Sequence, residues 1–585
     1  MTSSSIDNGA VVAGSPQHRA WWKEASVYQI YPASYKDSTG SGVGDLKGII
    51  SKMDYMKALG VDVVWLSPIF ESPQIDMGYD ISNYRKIAPE YGDISDVDTL
   101  MHGLHDRGMK LLMDLVVNHT SDQHEWFKQS RSSKDNEYRD WYVWRKPRYD
   151  EQGVRQPPNN WESHFQGNVW EYDEHTDEYY LHLYCKEQPD LNWEHPPVRD
   201  AVHAIMRFWL DRGIDGFRLD VINFISKPQD FPDSKGGILP GTEFYSAGPR
   251  LHEYLQGVGK ILKEYNAFSV GEMPFVTDLN QVIKAVRYDR DELNMIFHFE
   301  LMDIDHGPEK GKFTAGPWPL TKFKSIVSKW QRFMHANGGW NALYLENHDQ
   351  PRSVSRFADD SPEHREQSAK CIAILQGFQA GTPFIYQGQE LGMTNVPKEW
   401  GMDEYKDIDC LNHWIRLQKA TTDPKILELA KIEYQKKSRD NARIPMQWDS
   451  SKNAGFTLPE STPWMSANPN ASEINAAAQT DDPTSTFRFW SSVLKARKQY
   501  KDIIVYGDFE LVDEEHPQVF AYLRKSEAGK PLLVACNFSG DTVEWKGIPG
   551  EAKEVVLTTT GKKTPQDMAK GVVSLAPYEA IAVLL

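Results

Sequence analysis

Four short runs of this chain carry a carboxylate, two of them with a histidine and one with an arginine: DLVVNH (Asp114 to His119), GFRLDV (Gly216 to Val221), VGEM (Val270 to Met273) and ENHDQ (Glu346 to Gln350). Each follows or ends an apolar, strand-like stretch. A single strand-end Asp more often caps a helix or orders a loop. Four acidic strand ends in one barrel point elsewhere, because converging carboxylates repel and the fold must oppose that cost with donors. Arg218 lies two residues before Asp220, hence on the same face of a strand. It can hold Asp220 ionised, as a carboxylate nucleophile requires. Glu272, on the next strand, becomes a proton donor if burial and like charge raise its pKa. The alternatives are weaker. His119, His348, His164 and His182 are scattered with no HxH or HExxH spacing, which argues against a catalytic metal. No GxSxG run offers a serine nucleophile.

Something must bring these runs together, and the chain's rhythm says what. Strand-like runs at 27–31, 61–66 and 110–117 alternate with helical spacing over 46–59 and 96–107, stopped by Gly60 and Gly108. The rhythm breaks at 119–185, a stretch rich in Trp, Tyr, Asn, Pro and charge that is too long for a loop. It resumes with strands at 216–220, 268–270, 295–299, 341–345 and 383–386, and helices at 198–210, 249–265, 279–286, 321–334 and 365–375. Eight strands with helices between them predict an α/β fold, a closed parallel (β/α)8 TIM barrel, in which chemistry sits at the C-terminal strand ends. An open doubly wound sheet would usually begin with a glycine-rich phosphate turn, and no GxGxxG follows the first strand. Short strands at 509–512, 519–524, 532–537, 554–558 and 580–585 predict a C-terminal antiparallel β domain. The expected organisation is a disordered tail over 1–20, a catalytic barrel over 21–118 and 186–504, an inserted domain over 119–185, and a β domain over 505–585.

Composition narrows the partners. The chain has 585 residues and a net charge of −18, which disfavours nucleic acid as a partner. Four dispersed cysteines (Cys185, Cys371, Cys410 and Cys536) with no CxxC argue against a disulfide framework and for a reducing compartment. The N-terminus lacks the basic and apolar regions of a secretory signal, and no run reaches the roughly 18 apolar residues of a membrane helix. A cytoplasmic protein with no membrane partner is expected, as monomer or homodimer, and the sequons at Asn470 and Asn537 read as chance matches. Aromatic residues make up 12% of the chain; this fits a large core, but also a protein that stacks rings on sugars.

The four strand-end runs, the last extended as ENHDQPR, resemble the signature regions of the α-amylase family of glycoside hydrolases (family 13). QPDLNW (Gln188 to Trp193) resembles a further signature. DMGYDISNY (Asp76 to Tyr84), GTPFIYQGQELGM (Gly381 to Met393) and RDNARIPMQW (Arg439 to Trp448) resemble stretches of its α-glucosidase and oligo-1,6-glucosidase branch. The resemblance implies a retaining, exo-acting α-glucosidase acting on short oligosaccharides without a required cofactor. Asp220 would be nucleophile, Glu272 acid and base, and Asp349 the grip on the sugar hydroxyls at C2 and C3. Asp76 and Arg443 would bind the 4-hydroxyl of the terminal glucose. Tyr79 and Phe165 would stack around that ring, His119 and His348 would bond its hydroxyls, and Arg218 would support the nucleophile. Arg352 is placed on the leaving-group side, or else at the surface.

Val221 resembles the residue found in enzymes active on α-1,6 bonds, where maltases tend to carry Thr, so isomaltose-type activity is expected. The alternative is an α-1,4-preferring maltase or sucrase, or a transglucosylase, on the same scaffold. Sucrose isomerases tend to carry an arginine-rich loop before the helix at Thr321, and this chain has no such cluster there. A non-enzymatic transporter chaperone would need a membrane helix and could lose the acids. Two departures stand out. The first loop keeps Asp37 and Asp45, but Thr39 and Ser41 replace stronger ligands around Val43, so binding of a structural Ca2+ or Mg2+ should be weakened or lost. Phe275 stands where a small residue is usual and would narrow the leaving-group site.

Overall fold

The computed structural model describes residues 19–307, 311–526 and 529–585. Most of the expected N-terminal tail, residues 1–18, lies outside them. Eight parallel strands form the central sheet: β1 (Val27–Ile30), β2 (Val63–Leu66), β3 (Lys110–Val116), β4 (Gly216–Asp220), β5 (Phe268–Glu272), β6 (Met295–Phe297), β7 (Ala342–Leu343) and β8 (Thr382–Tyr386). Their order is β6–β5–β4–β3–β2–β1–β8–β7, and a parallel bridge between Ile296 and Asn341 joins β6 to β7 and closes the ring. The fold is the expected TIM barrel. Parallel strands are covered on both faces, which is why VVWL and GFRLD are buried from end to end. Close approach of β4 and β5 needs glycine at the entry to β4: a Cβ on Gly216 would lie 2.0 Å from the Phe268 carbonyl oxygen.

Helices fall where the spacing places them, with one difference. The run expected as a single helix over 46–59 is two, Leu46–Ile50 and Met53–Leu59. The Ser51 hydroxyl donates to the Gly48 carbonyl at 2.6 Å, a local bond that competes with the helical ladder. Between β3 and β4 the chain builds a three-stranded antiparallel sheet from Trp144–Arg145, Glu178–Leu181 and Trp170–Asp173. Its foot is tied to the end of β3, where buried Lys227 meets Asp190 at 2.9 Å and the Asn118 side-chain oxygen at 3.0 Å. An α-hairpin follows β8, Ile408–Ala420 and Pro424–Lys437, which sequence reading did not separate from the barrel.

At the C-terminus, strands β9 (Asp508–Val512), β10 (Val519–Lys525), β11 (Leu532–Asn537), β12 (Glu554–Thr558) and β13 (Ala580–Leu584) form one antiparallel sheet in the order β9–β10–β11–β13–β12. One apolar core runs unbroken from the barrel into it, with Phe323 of a barrel helix packed edge-on against Phe520 of β10. All four cysteines are free and buried. Among the described residues no helix is long and apolar enough to cross a membrane. The Asn537 amide is buried and donates to the carbonyls of Asp541, Leu575 and Ala576, so this sequon is consumed by the fold.

Candidate active site

A cavity of about 470 Å³ opens at the C-terminal ends of the barrel strands, a size suited to a small ligand. Asp76, Tyr79, His119, Phe165, Asp220, Val221, Glu272 and Asp349 all line it. Strand geometry delivers the acids: Asp220 and Glu272 are the last residues of β4 and β5.

Arg218 is the organising cation. It is fully buried, and its Nη1 donates to Asp220 Oδ1 at 2.6 Å and to Asp114 Oδ1 at 2.9 Å, while Nη2 donates to Glu272 Oε2 at 2.6 Å. One positive charge thus faces three buried carboxyls, and all three cannot ionise cheaply. Burial is the largest influence on each. It raises Asp114 to about 6, Asp220 to about 7 and Glu272 to about 8; Arg218 opposes the rise and neighbouring carboxylates add to it. Near neutrality the cluster therefore keeps a proton that its carboxyls share as a coupled unit. Asp349 goes the other way. Burial alone would raise it, but positive charge from His348 and from Arg439 and Arg443 holds it well below the carboxylate range. Because His348 is itself lowered to about 3 by burial, the two guanidinium groups carry that effect at neutral pH.

The aromatic wall is set by a hydrogen-bonded relay. Gln29 Nε2 donates to His348 Nδ1 at 2.8 Å, which leaves Nε2–H to donate to the Tyr79 hydroxyl at 2.7 Å. That hydroxyl donates to Asp114 Oδ2 at 3.1 Å, and the Tyr79 and His348 rings stack 5.2 Å apart. His119 Nε2 donates to the Tyr79 carbonyl at 3.1 Å, and burial keeps it neutral. Phe165 packs under the Arg439 guanidinium, 4.8 Å from ring centre to cation.

Two arginines differ from expectation. The partner of Asp76 is Arg439, at 3.0 Å, and not Arg443. Arg443 reaches Asp349 Oδ1 at 2.7 Å and the His348 carbonyl at 3.1 Å from behind the cavity. Arg439 is held by buried Asp407 at 2.7 Å, the N-cap of the first hairpin helix. Arg352 neither lines the cavity nor reaches the surface. It is fully buried, donating to the Gln387 carbonyl at 2.6 Å and to Glu346 at 3.1 Å. Gln188, inside QPDLNW, was not singled out by sequence reasoning; its Nε2 donates to Asp76 Oδ2 at 3.2 Å.

The residues of the first loop do not fit a cation. Asp37 accepts from the amides of Thr39, Gly40 and Gly42 and from the Thr39 and Thr457 hydroxyls. Asp45 is spent on Ser38 and on capping the helix that starts at Leu46. Ser41 and Val43 bond each other, and neither supplies a carboxylate.

A closed parallel barrel with a buried arginine joining two strand-end carboxyls defines a TIM-barrel enzyme of the two-carboxylate class. A model of the alpha-amylase catalytic domain matches residues 29–507, and the chain belongs to the alpha-amylase family of glycoside hydrolases. It is 50% identical over 576 residues to an alpha-glucosidase of Schizosaccharomyces pombe, covering 97% of this chain and 98% of that one. It is 48% identical over 571 residues to an oligo-1,6-glucosidase of Parageobacillus thermoglucosidasius, covering 96% and 98%. Among solved structures, isomaltulose synthase from Erwinia rhapontici NX5 superposes with a TM-score of 0.90 at 39% identity, covering 97% of this chain and 99% of that one.

Proposed function

We propose that this protein is a retaining, exo-acting α-glucosidase that releases glucose from the non-reducing ends of short α-glucosides, α-1,6 bonds included. The observation that carries the reading is Arg218 joining Asp220 and Glu272, each at 2.6 Å. Asp220 attacks the anomeric carbon and forms a glucosyl ester as Glu272 protonates the leaving oxygen. Glu272, now ionised, then takes a proton from water, which attacks C1 and frees Asp220. Retention asks for carboxyls about 5–5.5 Å apart. Asp349, kept ionised by Arg439 and Arg443, binds sugar hydroxyls and faces the positive charge that develops at C1. Asp76 and Arg439 close the cavity at the far end of the bound ring, and Arg443 acts through Asp349.

Val221 gives the linkage reading its local basis. It has φ +33°, so it is no ordinary strand residue, and it belongs to one apolar cluster with Phe224 and Tyr245 while also lining the cavity beside Asp220. A Val221→Thr variant should move relative kcat/KM towards maltose. Cytoplasmic location agrees with the four free thiols. Product analysis on maltose, isomaltose and sucrose in parallel, with wild type and Asp220→Ala, tests the proposal. Glucose is expected from isomaltose with wild type only. Unimpaired cleavage by Asp220→Ala, or an inverted first product, would overturn it.

A further inference from the structure

Phe275 is an aromatic residue that the fold has no use for. It has φ +61°, a left-handed conformation that favours glycine, and it is 43% exposed. It belongs to none of the apolar cores of the described residues. The strain is held in place: the Asn223 side-chain amide donates to the carbonyl of Pro274, the preceding residue, at 2.8 Å. A strained conformation kept at an exposed aromatic, three residues after Glu272 in the loop that follows β5, points to work outside the fold.

Its surroundings say what work. Phe275 lines the outer part of the cavity with Ile238 and Leu239. Ile238 is 64% exposed and also outside every core. It lies against Gly311, where a Cβ would be 3.8 Å from its Cγ2. Behind Phe275 lies the neutral ring of His164, 5.4 Å away, which extends the apolar surface inward. The lining also carries Asp303, Lys312, Gln350 and Asp409, with Phe299 and Phe313 among them.

We infer that the strained Phe275 and Ile238 form an acceptor site for aromatic alcohols, so that the enzyme transfers glucose to them in preference to small alcohols. This rests on the α-glucosidase reading. In the transfer step the hydroxyl oxygen of the acceptor forms a bond to C1 and its proton passes to the Glu272 carboxylate. The C1–O bond to Asp220 breaks, and the electron pair returns to that carboxylate. An α-glucoside of the aromatic alcohol leaves. By microscopic reversibility the same glucosides are substrates.

The test uses α-glucosyl fluoride as donor, whose fluoride makes no use of this face, with benzyl alcohol and methanol at equal concentration as competing acceptors. Wild type is expected to give benzyl over methyl α-glucoside by about tenfold, the effect of burying part of a ring. Phe275→Gly and Phe275→Ala should both bring that ratio near one, and Tyr149→Ser, a distant aromatic 62% exposed, should leave it unchanged. Glycine accepts the left-handed conformation, so the thermal midpoint of Phe275→Gly should equal or exceed that of wild type. A wild-type ratio near one, or a ratio that survives both Phe275 variants, overturns the inference. If the fluoride is not consumed at all, the hydrolase reading has failed; if it is consumed with no preference, only the acceptor site has.

Discussion

Glu272 and Asp220 share one guanidinium, and the chemistry depends on which of them keeps a proton. Burial raises Glu272 to about 8 and Asp220 to about 7, so the cluster titrates as a coupled unit around neutrality. kcat/KM on a p-nitrophenyl α-glucoside should be bell-shaped, falling on the acid side as Asp220 is protonated and on the alkaline side as Glu272 loses its proton. Asp349 is one of the charges that raise Glu272. Asp349→Asn should therefore lower the alkaline limb as well as the rate, and a limb that stays or rises would refute the assignment. Glu272→Gln should lower kcat/KM on isomaltose by about 10²–10⁴-fold while sparing kcat/KM on donors such as glucosyl fluoride, whose leaving group needs no proton, and the glucosyl-enzyme should then accumulate because its hydrolysis has lost the base. The same raised pKa has a stability cost. Folded Glu272 binds its proton more tightly than the unfolded chain does, so its contribution is full below about 4.5 and is lost as pH rises through about 8. Glu272→Gln should then raise the melting temperature more at pH 9 than at pH 5. That Arg218 and Asp220 share one face of β4 was legible from strand alternation, whereas Asp349 lies beyond β7 and was singled out by the resemblance to the family. The partner of Asp76 was not: Arg439 and Arg443 lie four apart at a single helical turn, Asp440–Arg443, and spacing alone gives both the same face.

At the level of elements, the eight barrel strands were readable because strands covered on both faces are short, near-continuous apolar runs. The hairpin of Ile408–Ala420 and Pro424–Lys437 was not, because it carries little of that signal: Ile415, Ile426, Leu429 and Ile432 are exposed on it. Yet the first hairpin helix supplies Asp407, its N-cap, which holds Arg439 from the segment that follows the hairpin, so part of the candidate site hangs on an element invisible to periodicity. The inserted sheet poses the converse case. Its composition marked it, but what fastens it to the barrel is a buried pair, Lys227 and Asp190, that no pattern announces. Lys227→Met leaves the Asp190 carboxylate with only the Leu183 amide and the Asn118 amide as donors. Breaking a buried pair from one side typically costs about 3–5 kcal/mol. Urea unfolding should show a loss of that order for Lys227→Met, and a smaller one for Lys227→Met combined with Asp190→Asn, in which no buried charge is left alone. Equal losses would mean that the pair carries no coupling.

For the whole molecule, the question is whether the β domain is an appendage or part of the barrel's stability. Two buried cations answer from the polar side. Lys324, on a barrel helix, donates to the carbonyls of Asp513, His516 and Val519, and Arg524 of β10 donates to those of Ile504 and Gly507. Each closes carbonyl groups that would otherwise be buried without partners. The apolar side agrees, since Phe520 of β10 and Phe538 just beyond β11 both pack against Phe323 of the barrel, within one continuous core. The β domain also keeps an apolar core of its own on its other face, so whether the shared core makes the two parts unfold as one event is what the melting of Phe520→Ala tests. Phe520→Ala, at a site with no exposure, should cost about 3–5 kcal/mol. That loss should appear in the barrel as much as in the β domain, although Phe520 touches nothing in the cavity. Heating followed by loss of glucosidase activity, by tryptophan fluorescence and by far-ultraviolet circular dichroism should give one midpoint for all three probes, lowered together in the variant. If activity instead survives to the wild-type temperature while the β signal melts early, the two parts are stable on their own and the shared core is a surface of contact only.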